Sequence, residues 1–241
     1  RFSKSEFLSM AKDSSTVYQD VKQEVGLSYT PSDNLEGYLF PDTYQFCSDA
    51  TTKDVIERLL KEFETKSYSV NEQKIISSKY TLNELVTIAS MIERETFTAN
   101  ERAIIAGIIE NRLEIGEPLG IDATTQYYAG YSEKQKTWWR NGVELDVIIE
   151  NNNPYNTRKN AGLPPTPIAN AGSASFEAAV SPAETDFLFY IHDEQGRVYY
   201  AKTLNEHNRN VCKYLTKTCG WDLNWEYRIY NREYQLVNSN S

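Results

Sequence analysis

The distribution of proline constrains the fold of this chain more than any other feature. Four of the eight prolines, Pro154, Pro164, Pro165 and Pro167, fall within residues 151–172, NNNPYNTRKNAGLPPTPIANAG. Proline lacks a backbone donor and has a fixed φ, so this stretch cannot form a continuous helix or a central strand. Long ordered loops inside compact domains are usually functional. We therefore expect a stiff, functional loop here.

A second loop is indicated at residues 29–50, where Pro31, Gly37 and Pro41 interrupt an aromatic segment. Aromatic side chains at such density need burial, which predicts an ordered loop rather than a solvated one. The side chains that we expect to be buried are Tyr38, Leu39, Phe40, Tyr44 and Phe46.

Apolar residues recur at helical spacing in the remaining segments. This periodicity predicts helices at residues 1–28, 51–67, 81–96, 98–113, 173–180 and 205–218. Thr51 or Thr52 can cap the second helix, and Thr98 with Glu101 forms a potential capping box for the fourth. Gly116 is placed to end that fourth helix.

The pattern changes toward the C-terminal part of the chain. Residues 186–203 alternate as two strands, and Gln195–Gly196 is the expected turn of a hairpin. Helices combined with one local hairpin, and no regular β-α-β alternation, predict an α+β fold. We expect a helix-rich domain with a small β-hairpin and long ordered loops.

Composition excludes several classes of function. The formal net charge is −9, from 34 acidic and 25 basic side chains, which disfavours a nucleic-acid binder or a polybasic membrane binder. Only two histidines, His192 and His207, are present, so a zinc site built from several histidines is nearly excluded. No apolar run approaches the roughly 18 residues that a membrane span needs. The chain starts at Arg1, and we expect it to be part of a longer protein.

The three cysteines leave two interpretations open. Cys212 and Cys219 are close enough in sequence to form a local disulfide, which would imply an oxidising compartment. The alternative is that these two and Cys47 are all free thiols.

Two acids in one predicted helix, Glu93 and Glu95, are candidates for chemistry. At about 100° per residue they lie about 200° apart, so they cannot face each other across a substrate. A carboxylic acid half-buried beside Met91 and Ile92 would have a raised pKa, as a general acid requires. The alternative, which spacing alone favours, is that both are solvated charges on a helix face. His207 is likewise more typical of a structural histidine than of a catalyst.

Several motifs, taken in order, resemble one family. They are LEGYLFPDTY at 35–44, ASMIERET at 89–96, ER at 101–102, NRL at 111–113, IDATTQYY at 121–128, PYNTRKNAGLPPTPIANAG at 154–172, the strand pair at 187–200 and EHNRNV at 206–211. This order resembles the catalytic domain of the endolytic murein transglycosylases, the MltG or YceG-like family. The resemblance covers roughly residues 30–211. It implies a catalytic domain at 1–211, with 1–30 as its N-terminal helical part, and a helical, aromatic extension at 212–241.

The resemblance implies a reaction and a catalyst. Family members cleave the β-1,4 bond between N-acetylmuramic acid and N-acetylglucosamine and leave a 1,6-anhydro end. The catalytic glutamate of the family falls in ASMIERET, which implies Glu95 as the single general acid and base, with Glu93 as the second choice. No cofactor or metal is implied.

The resemblance also implies a glycan groove, lined by the helix at 101–113 and by loops at 121–128 and 154–168. The expected substrate contacts are Glu93, Arg102, Asn111, Asp122, Thr124, Gln126, Tyr155, Asn156, Thr157 and His207. The alternative for Arg102 and Asn111 is that they hold the substrate-contacting residues in position without contacting the substrate themselves.

The implied setting is the outer side of the cytoplasmic membrane, with peptidoglycan glycan strands as substrate and with a single N-terminal membrane helix upstream of this chain. Wall-synthesis proteins such as penicillin-binding proteins are the implied partners. Two alternatives stay open: a catalytically silent peptidoglycan-binding scaffold and a hydrolytic muramidase. The presence of Glu95 favours an enzyme over the scaffold.

Overall fold

The computed structural model describes residues 3–13, 27–31, 34–96, 98–139 and 153–216. In chain order its elements are α1 (Lys4–Lys12), α2 (Thr52–Phe63), α3 (Ser69–Ser77), α4 (Leu82–Glu95), α5 (Ala99–Glu114), α6 (Asp122–Ala129), α7 (Ser173–Val180), β1 (Phe189–His192), β2 (Val198–Ala201) and α8 (Leu204–Val211). Turns of π-helix at Glu64–Tyr68 and Cys212–Thr216 extend α2 and α8. The predicted α+β class, rich in helices with one small hairpin, is confirmed.

The chain divides into two compact units. The first comprises Arg1–Ala106 and Leu163–Ala183, and the second comprises Gly107–Gly162 and Glu184–Ser241. The predicted boundary after residue 211 stays a prediction, because residues 217–241 lie outside the described part of the chain.

Local capping explains why several helices begin where they do. In a capping box, the N-cap hydroxyl accepts from a backbone N–H while the acid at the third helical position accepts from the N-cap N–H. Among the described helices, three have such a box: Thr51 with Asp54 at α2, Thr81 with Glu84 at α4, and Thr203 with Glu206 at α8. The predicted cap at Thr51 is confirmed.

Three predicted elements differ from the structure. The helix predicted at 51–67 continues through the π-helical turn and α3 to Ser77. In that turn Glu64 is buried and accepts from Ser28 N (2.9 Å) and Lys61 Nζ (3.0 Å). The loop predicted at 121–128 is wrong, since Asp122–Ala129 forms α6. The helix predicted at 1–28 ends at Lys12, with Asp13 as its C-cap, and residues 27–28 are not helical, while residues 14–26 lie outside the described part.

An aromatic cluster forms the core of the first unit. The ring of Phe63 lies 5.4 Å from Tyr38, 5.4 Å from Phe176 and 5.2 Å from Tyr29, measured between centroids. All four residues are buried. The predicted burial of the 29–50 loop is thus confirmed for Tyr38.

The outer part of that loop is less buried than expected. Leu39 and Phe40 are buried as predicted, but Tyr44 is half-buried and Phe46 is 39% exposed, so the prediction for Phe46 is wrong. Its ring lies 6.1 Å from that of Tyr44, whose hydroxyl donates to Phe40 O at 2.7 Å. The loop is therefore fixed from its inner residues, and Phe46 adds a ring contact at the surface.

Gly37 is where this loop approaches the rest of the unit most closely. Its φ is +92°, and its N–H donates to Asn170 Oδ1 at 2.7 Å. A Cβ at this position would lie 2.5 Å from Val86 Cγ1 and 2.7 Å from two atoms of Pro167. A glycine is required here on both conformational and steric grounds.

The second unit contains the hairpin. β1 and β2 pair antiparallel, with Phe189 opposite Ala201 and His192 opposite Val198. Gly196 lies in the turn that joins the two strands and has a φ of +74°. The turn predicted at Gln195–Gly196 is therefore confirmed.

Asp193 closes this hairpin turn. Its buried carboxylate accepts from Gln195 N (3.0 Å), Arg197 N (2.9 Å), Arg197 Nε (2.7 Å) and the Tyr199 hydroxyl (3.0 Å). Burial opposes ionisation, but the bonds from Arg197, Tyr199 and Gln195 outweigh it and lower the pKa of Asp193 to about 2.

The structure also bears on the cysteines and on membrane spans. Cys212 is disulfide-bonded and Cys47 is an exposed free thiol, so the interpretation with three free thiols is wrong. Cys219 lies outside the described residues. Within the described ranges, every helix is too short or too polar to cross a bilayer.

We predict that Gly37→Ala lowers the free energy of unfolding by about 1–3 kcal/mol more than Gly162→Ala does, because it adds overpacking to backbone strain. Gly162 is a matched control, since its φ is +91° and a Cβ added there would meet no atom within 4 Å. Chemical denaturation of both variants measures the difference. Equal losses would contradict the steric account.

We predict that Asp193→Asn lowers the thermal midpoint at neutral pH, and that this difference shrinks in acid. The folded-state pKa, about 2, lies below the ordinary value of 3.8, so the stabilisation is complete above pH 3.8 and is lost as the pH falls through about 2. Thermal unfolding followed by circular dichroism between pH 7 and pH 2 tests this. Glu194→Gln, an exposed neighbour, is the control, and a pH-independent difference would refute the prediction.

Candidate active site

Both candidate acids lie in the last turn of α4. Glu95 is the final residue of the helix, and Thr96 follows as its C-cap. The Thr96 hydroxyl donates to Ile92 O at 2.8 Å and so gives a hydrogen-bond partner to one of the last carbonyl groups of the helix. The predicted helix is confirmed, and its geometry directs the two carboxylates to different sides.

Glu93 is held by the N-terminus of α7. Its Oε2 accepts from the Ser175 hydroxyl at 2.6 Å and from the N–H of Gly172, the N-cap of that helix, at 3.2 Å. A carboxylate is favoured at a helix N-terminus because the first N–H groups lack partners and the helix dipole is positive there. Through these hydrogen bonds the Glu93 carboxylate joins α4 to the start of α7.

Arg102, a predicted substrate contact, joins the same group. Its Nε donates to the Ser175 hydroxyl oxygen at 3.2 Å, from α5. Ser175 is fully buried, whereas Arg102 and Glu93 are half-buried. Sequence reasoning missed Ser175, and the available signal was its position in the first turn of the predicted helix at 173–180.

The same side of α4 also holds the proline-rich segment. The Ser90 hydroxyl accepts from Ile168 N at 3.0 Å and donates to Thr87 O at 2.7 Å. Ser90 precedes Glu93 by three residues and follows Val86 by four, so the three side chains share one helix face. We call Val86, Ser90 and Glu93 the loop-anchoring face of α4.

Glu95 belongs to another side of the helix. It follows Met91 by four residues and Ile92 by three, and both of those side chains are fully buried. Glu95 itself is half-buried. Its carboxylate therefore stands at the end of an apolar stripe, at the border between core and solvent.

In the second unit, two predicted contact residues, Thr124 and Thr157, form an internal network. The Thr157 hydroxyl accepts from Ile121 N (3.0 Å) and lies 3.0 Å from the Thr124 hydroxyl, which donates to Ile121 O (2.7 Å). Asn156 Oδ1 accepts from Arg158 N at 3.1 Å. Thr124, Asn156 and Thr157 are all buried, and the two threonines fix the loop onto the start of α6.

The other predicted contacts of this cluster reach the surface. Asp122 forms an ion pair with Arg158, with 2.7 Å between Oδ1 and Nε, and both side chains are more than 40% exposed. Tyr155 and Gln126 are half-buried. The ring of Tyr155 lies 5.1 Å from that of Tyr127. Carboxylate, amide and aromatic groups thus occur together here.

Asn111 and His207 lie beside the hairpin. Asn111 Nδ2 donates to Thr185 O (2.7 Å) and Phe187 O (3.0 Å), which holds the segment entering β1. The His207 ring lies 5.2 Å from that of Phe189, and burial, aided by the charge of Arg112, lowers the pKa of His207. A neutral, half-buried imidazole packed on an aromatic ring is typical of a structural role.

Among the described residues, no three side chains of the types His, Cys, Asp and Glu come together as a group that could hold a metal ion.

Comparison with known proteins identifies the family. The sequence profile of the YceG-like family matches residues 3–213. The chain belongs to the YceG-like family.

Among similar proteins, the endolytic murein transglycosylase of Bacillus subtilis (strain 168) is 40% identical over 184 residues, which are 76% of this chain and 48% of that protein. The endolytic murein transglycosylase of Streptococcus pneumoniae (strain ATCC BAA-255 / R6) is 35% identical, over 75% of this chain and 32% of its own length. The chain therefore spans half or less of these curated relatives. A crystal structure of a yceG-like protein from Listeria monocytogenes matches with a TM-score of 0.74 and 30% identity, over 86% of this chain and 67% of the other.

We predict that Thr124→Val lowers the free energy of unfolding by about 1 kcal/mol, because it removes the buried hydrogen bonds of its hydroxyl to Ile121 O and Thr157 Oγ1. Thr125→Val is the matched control. Its hydroxyl is equally buried in the same helix and has no hydrogen-bond partner in the described structure. We expect that variant to be neutral or stabilising. Denaturant titration of both variants decides, and equal effects would exclude the network's role.

Proposed function

We propose that this chain is the catalytic part of a peptidoglycan lytic transglycosylase. The enzyme cleaves the β-1,4 bond between N-acetylmuramic acid and N-acetylglucosamine and leaves a 1,6-anhydro-muramoyl end. Membership of the YceG-like family and the names of the relatives from Bacillus subtilis and Streptococcus pneumoniae support this proposal.

The observation that carries the proposal is the unequal placement of the two acids on α4. Glu93 accepts two hydrogen bonds from the start of α7, whereas Glu95 ends the helix at the border of an apolar stripe. A hydrolytic glycosidase uses two carboxylates across the scissile bond. A lytic enzyme needs one, because the substrate supplies its own nucleophile.

In the proposed reaction, Glu95 begins as a carboxylic acid and protonates the oxygen that leaves with N-acetylglucosamine. The bond between this oxygen and C1 of the muramoyl residue breaks, and positive charge develops at C1. The muramoyl C6 hydroxyl then forms the 1,6-anhydro bond to C1 and returns its proton to Glu95. Atoms balance without water, and the glutamate ends in its starting state.

Glu95 is half-buried beside the fully buried Met91 and Ile92. The first step of the proposed reaction requires its protonated form, because that form can donate a proton. Glu93 is less suited, because donation would have to displace it from hydrogen bonds in which it is the acceptor.

For substrate binding we propose the accessible members of the predicted set: Asp122, Gln126 and Tyr155. Aromatic, amide and carboxylate groups are suited to pyranose rings and their hydroxyls. Thr124, Asn156 and Thr157 are proposed to support them from inside the unit, since their polar atoms bond the protein itself. Asn111 and His207 are proposed to hold the hairpin.

We further propose that the enzyme acts on the wall side of the cytoplasmic membrane, anchored by an N-terminal helix of the longer protein. The disulfide at Cys212 favours an oxidising compartment. Penicillin-binding proteins and other wall-synthesis enzymes stay the expected partners.

We predict that digestion of purified peptidoglycan by this protein yields muropeptides with 1,6-anhydro ends, detected by mass spectrometry. Glu95→Gln should lower the rate by about 10²–10⁴-fold, the usual contribution of general acid–base catalysis. Glu72→Gln, on the exposed side of α3, is the control and should keep full activity.

Other product patterns would identify one of the two alternative functions. Reducing ends in place of anhydro ends would identify a muramidase. Binding to sacculi without any product would identify a silent scaffold. An active Glu95→Gln variant would exclude Glu95 as the acid.

A further inference from the structure

The position of Glu95 raises a mechanical problem. It is the last residue of α4, and helix ends fray. A catalytic group has to be held within roughly 0.5 Å of its productive position. Something must therefore fix the last turn of this helix.

Three side chains from three helices meet at that turn. Arg102 Nε of α5 donates to Ser175 Oγ of α7 at 3.2 Å, and Ser175 Oγ donates to Glu93 Oε2 of α4 at 2.6 Å. The N–H of Gly172 donates to the same carboxylate oxygen at 3.2 Å. We call Arg102, Ser175, Glu93 and the Gly172 N–H the Glu93 anchor.

The direction of these bonds is fixed by chemistry. A guanidinium has no acceptor, so Arg102 can only donate, and Ser175 Oγ must be the acceptor of that bond. The single hydroxyl proton of Ser175 is then available for Glu93, which receives it as an acceptor. The arrangement therefore keeps Glu93 in an accepting role and joins its negative charge to the positive charge of Arg102 through one hydroxyl.

The anchor restrains backbone as well as side chain. Glu93 precedes Glu95 by two residues in the same helical turn, so fixing its carboxylate restricts how far that turn can unwind. In addition, Thr96 Oγ1 donates a hydrogen bond to the carbonyl oxygen of Ile92 at the end of the same helix. Ser175 is fully buried, so water cannot replace its hydroxyl without a rearrangement.

We propose that Ser175, with Arg102 and Glu93, is a positioning residue that holds Glu95 in its catalytic geometry. This inference rests on the proposed function. It reassigns Glu93 and Arg102 from glycan contact to positioning, and it adds Ser175, whose contacts are with the protein and not with the reacting sugar.

The test is steady-state kinetics of anhydro-end formation by Ser175→Ala, normalised to the wild-type protein. We expect kcat to fall about 10–10²-fold, the scale of a misplacement near 1 Å, with KM within about twofold. The pH profile of kcat should keep its shape, since Glu95 remains the titrating acid. Ser173→Ala, at the exposed start of the same helix, should behave as wild type.

Glu93→Gln distinguishes positioning from chemistry. The amide retains an oxygen acceptor for Ser175, so we expect partial activity with an unshifted pH profile, whereas Glu95→Gln lowers the rate by about 10²–10⁴-fold. The double variant Ser175→Ala/Glu93→Gln should be no slower than the slower single variant, because both changes break one unit.

Wild-type kcat in Ser175→Ala, a loss that appears in KM, or additive losses in the double variant would overturn the inference. If Ser175→Ala fails to fold, as judged by thermal unfolding, Arg102→Lys replaces it, since it keeps the charge and removes the guanidinium donor. Absence of anhydro products from the wild-type protein would instead overturn the proposed function.

Discussion

The hydrogen bonds between α4 and the segment at residues 168–175 are the constraint on which the first unit depends. The Ser90 hydroxyl accepts a hydrogen bond from the N–H of Ile168, and the Glu93 carboxylate accepts from the N–H of Gly172 and the hydroxyl of Ser175. Each of these bonds joins residues about 80 positions apart in sequence and therefore closes a long loop of chain. The prolines of the segment reduce the conformational entropy that this closure removes, because they restrict the unfolded chain.

The same constraint separates the two acids of α4. The loop-anchoring face uses Glu93, so its carboxylate contributes to the packing of two helices. Glu95, two residues later, lies on the side where the core meets solvent. Because the two acids of α4 point to different sides, they do not form a facing pair of the kind that a hydrolytic glycosidase places across a sugar. The proposed lytic reaction uses one carboxyl group, which gives and later retrieves a proton.

The second unit follows a different principle, the satisfaction of buried polar groups. Thr124 and Thr157 lie where the backbone of Ile121 needs partners, and their hydroxyls provide them. Polar residues in a punctuated segment suggest ligand contacts when only the sequence is considered. Burial assigns these two to the interior, because an unpaired N–H in a dry environment is costly. Asp122 and Tyr155, from the same motifs, stay accessible.

Local interactions made much of the fold predictable from the sequence. The helices at α4 and α7, the cap at Thr51 and the Gly196 turn depend on residues within a few positions of one another, and periodicity or turn chemistry reveals them. The order of motifs also identified the family. The extension of α2 through Glu64, the helix at 122–129, the exposure of Phe46 and the joining of Ser175 to Glu93 depend on contacts between distant residues. Sequence periodicity carries no information about such pairs, so the tertiary structure alone decided that Glu93 bonds the start of α7 and that Glu95 is half-buried at the end of α4.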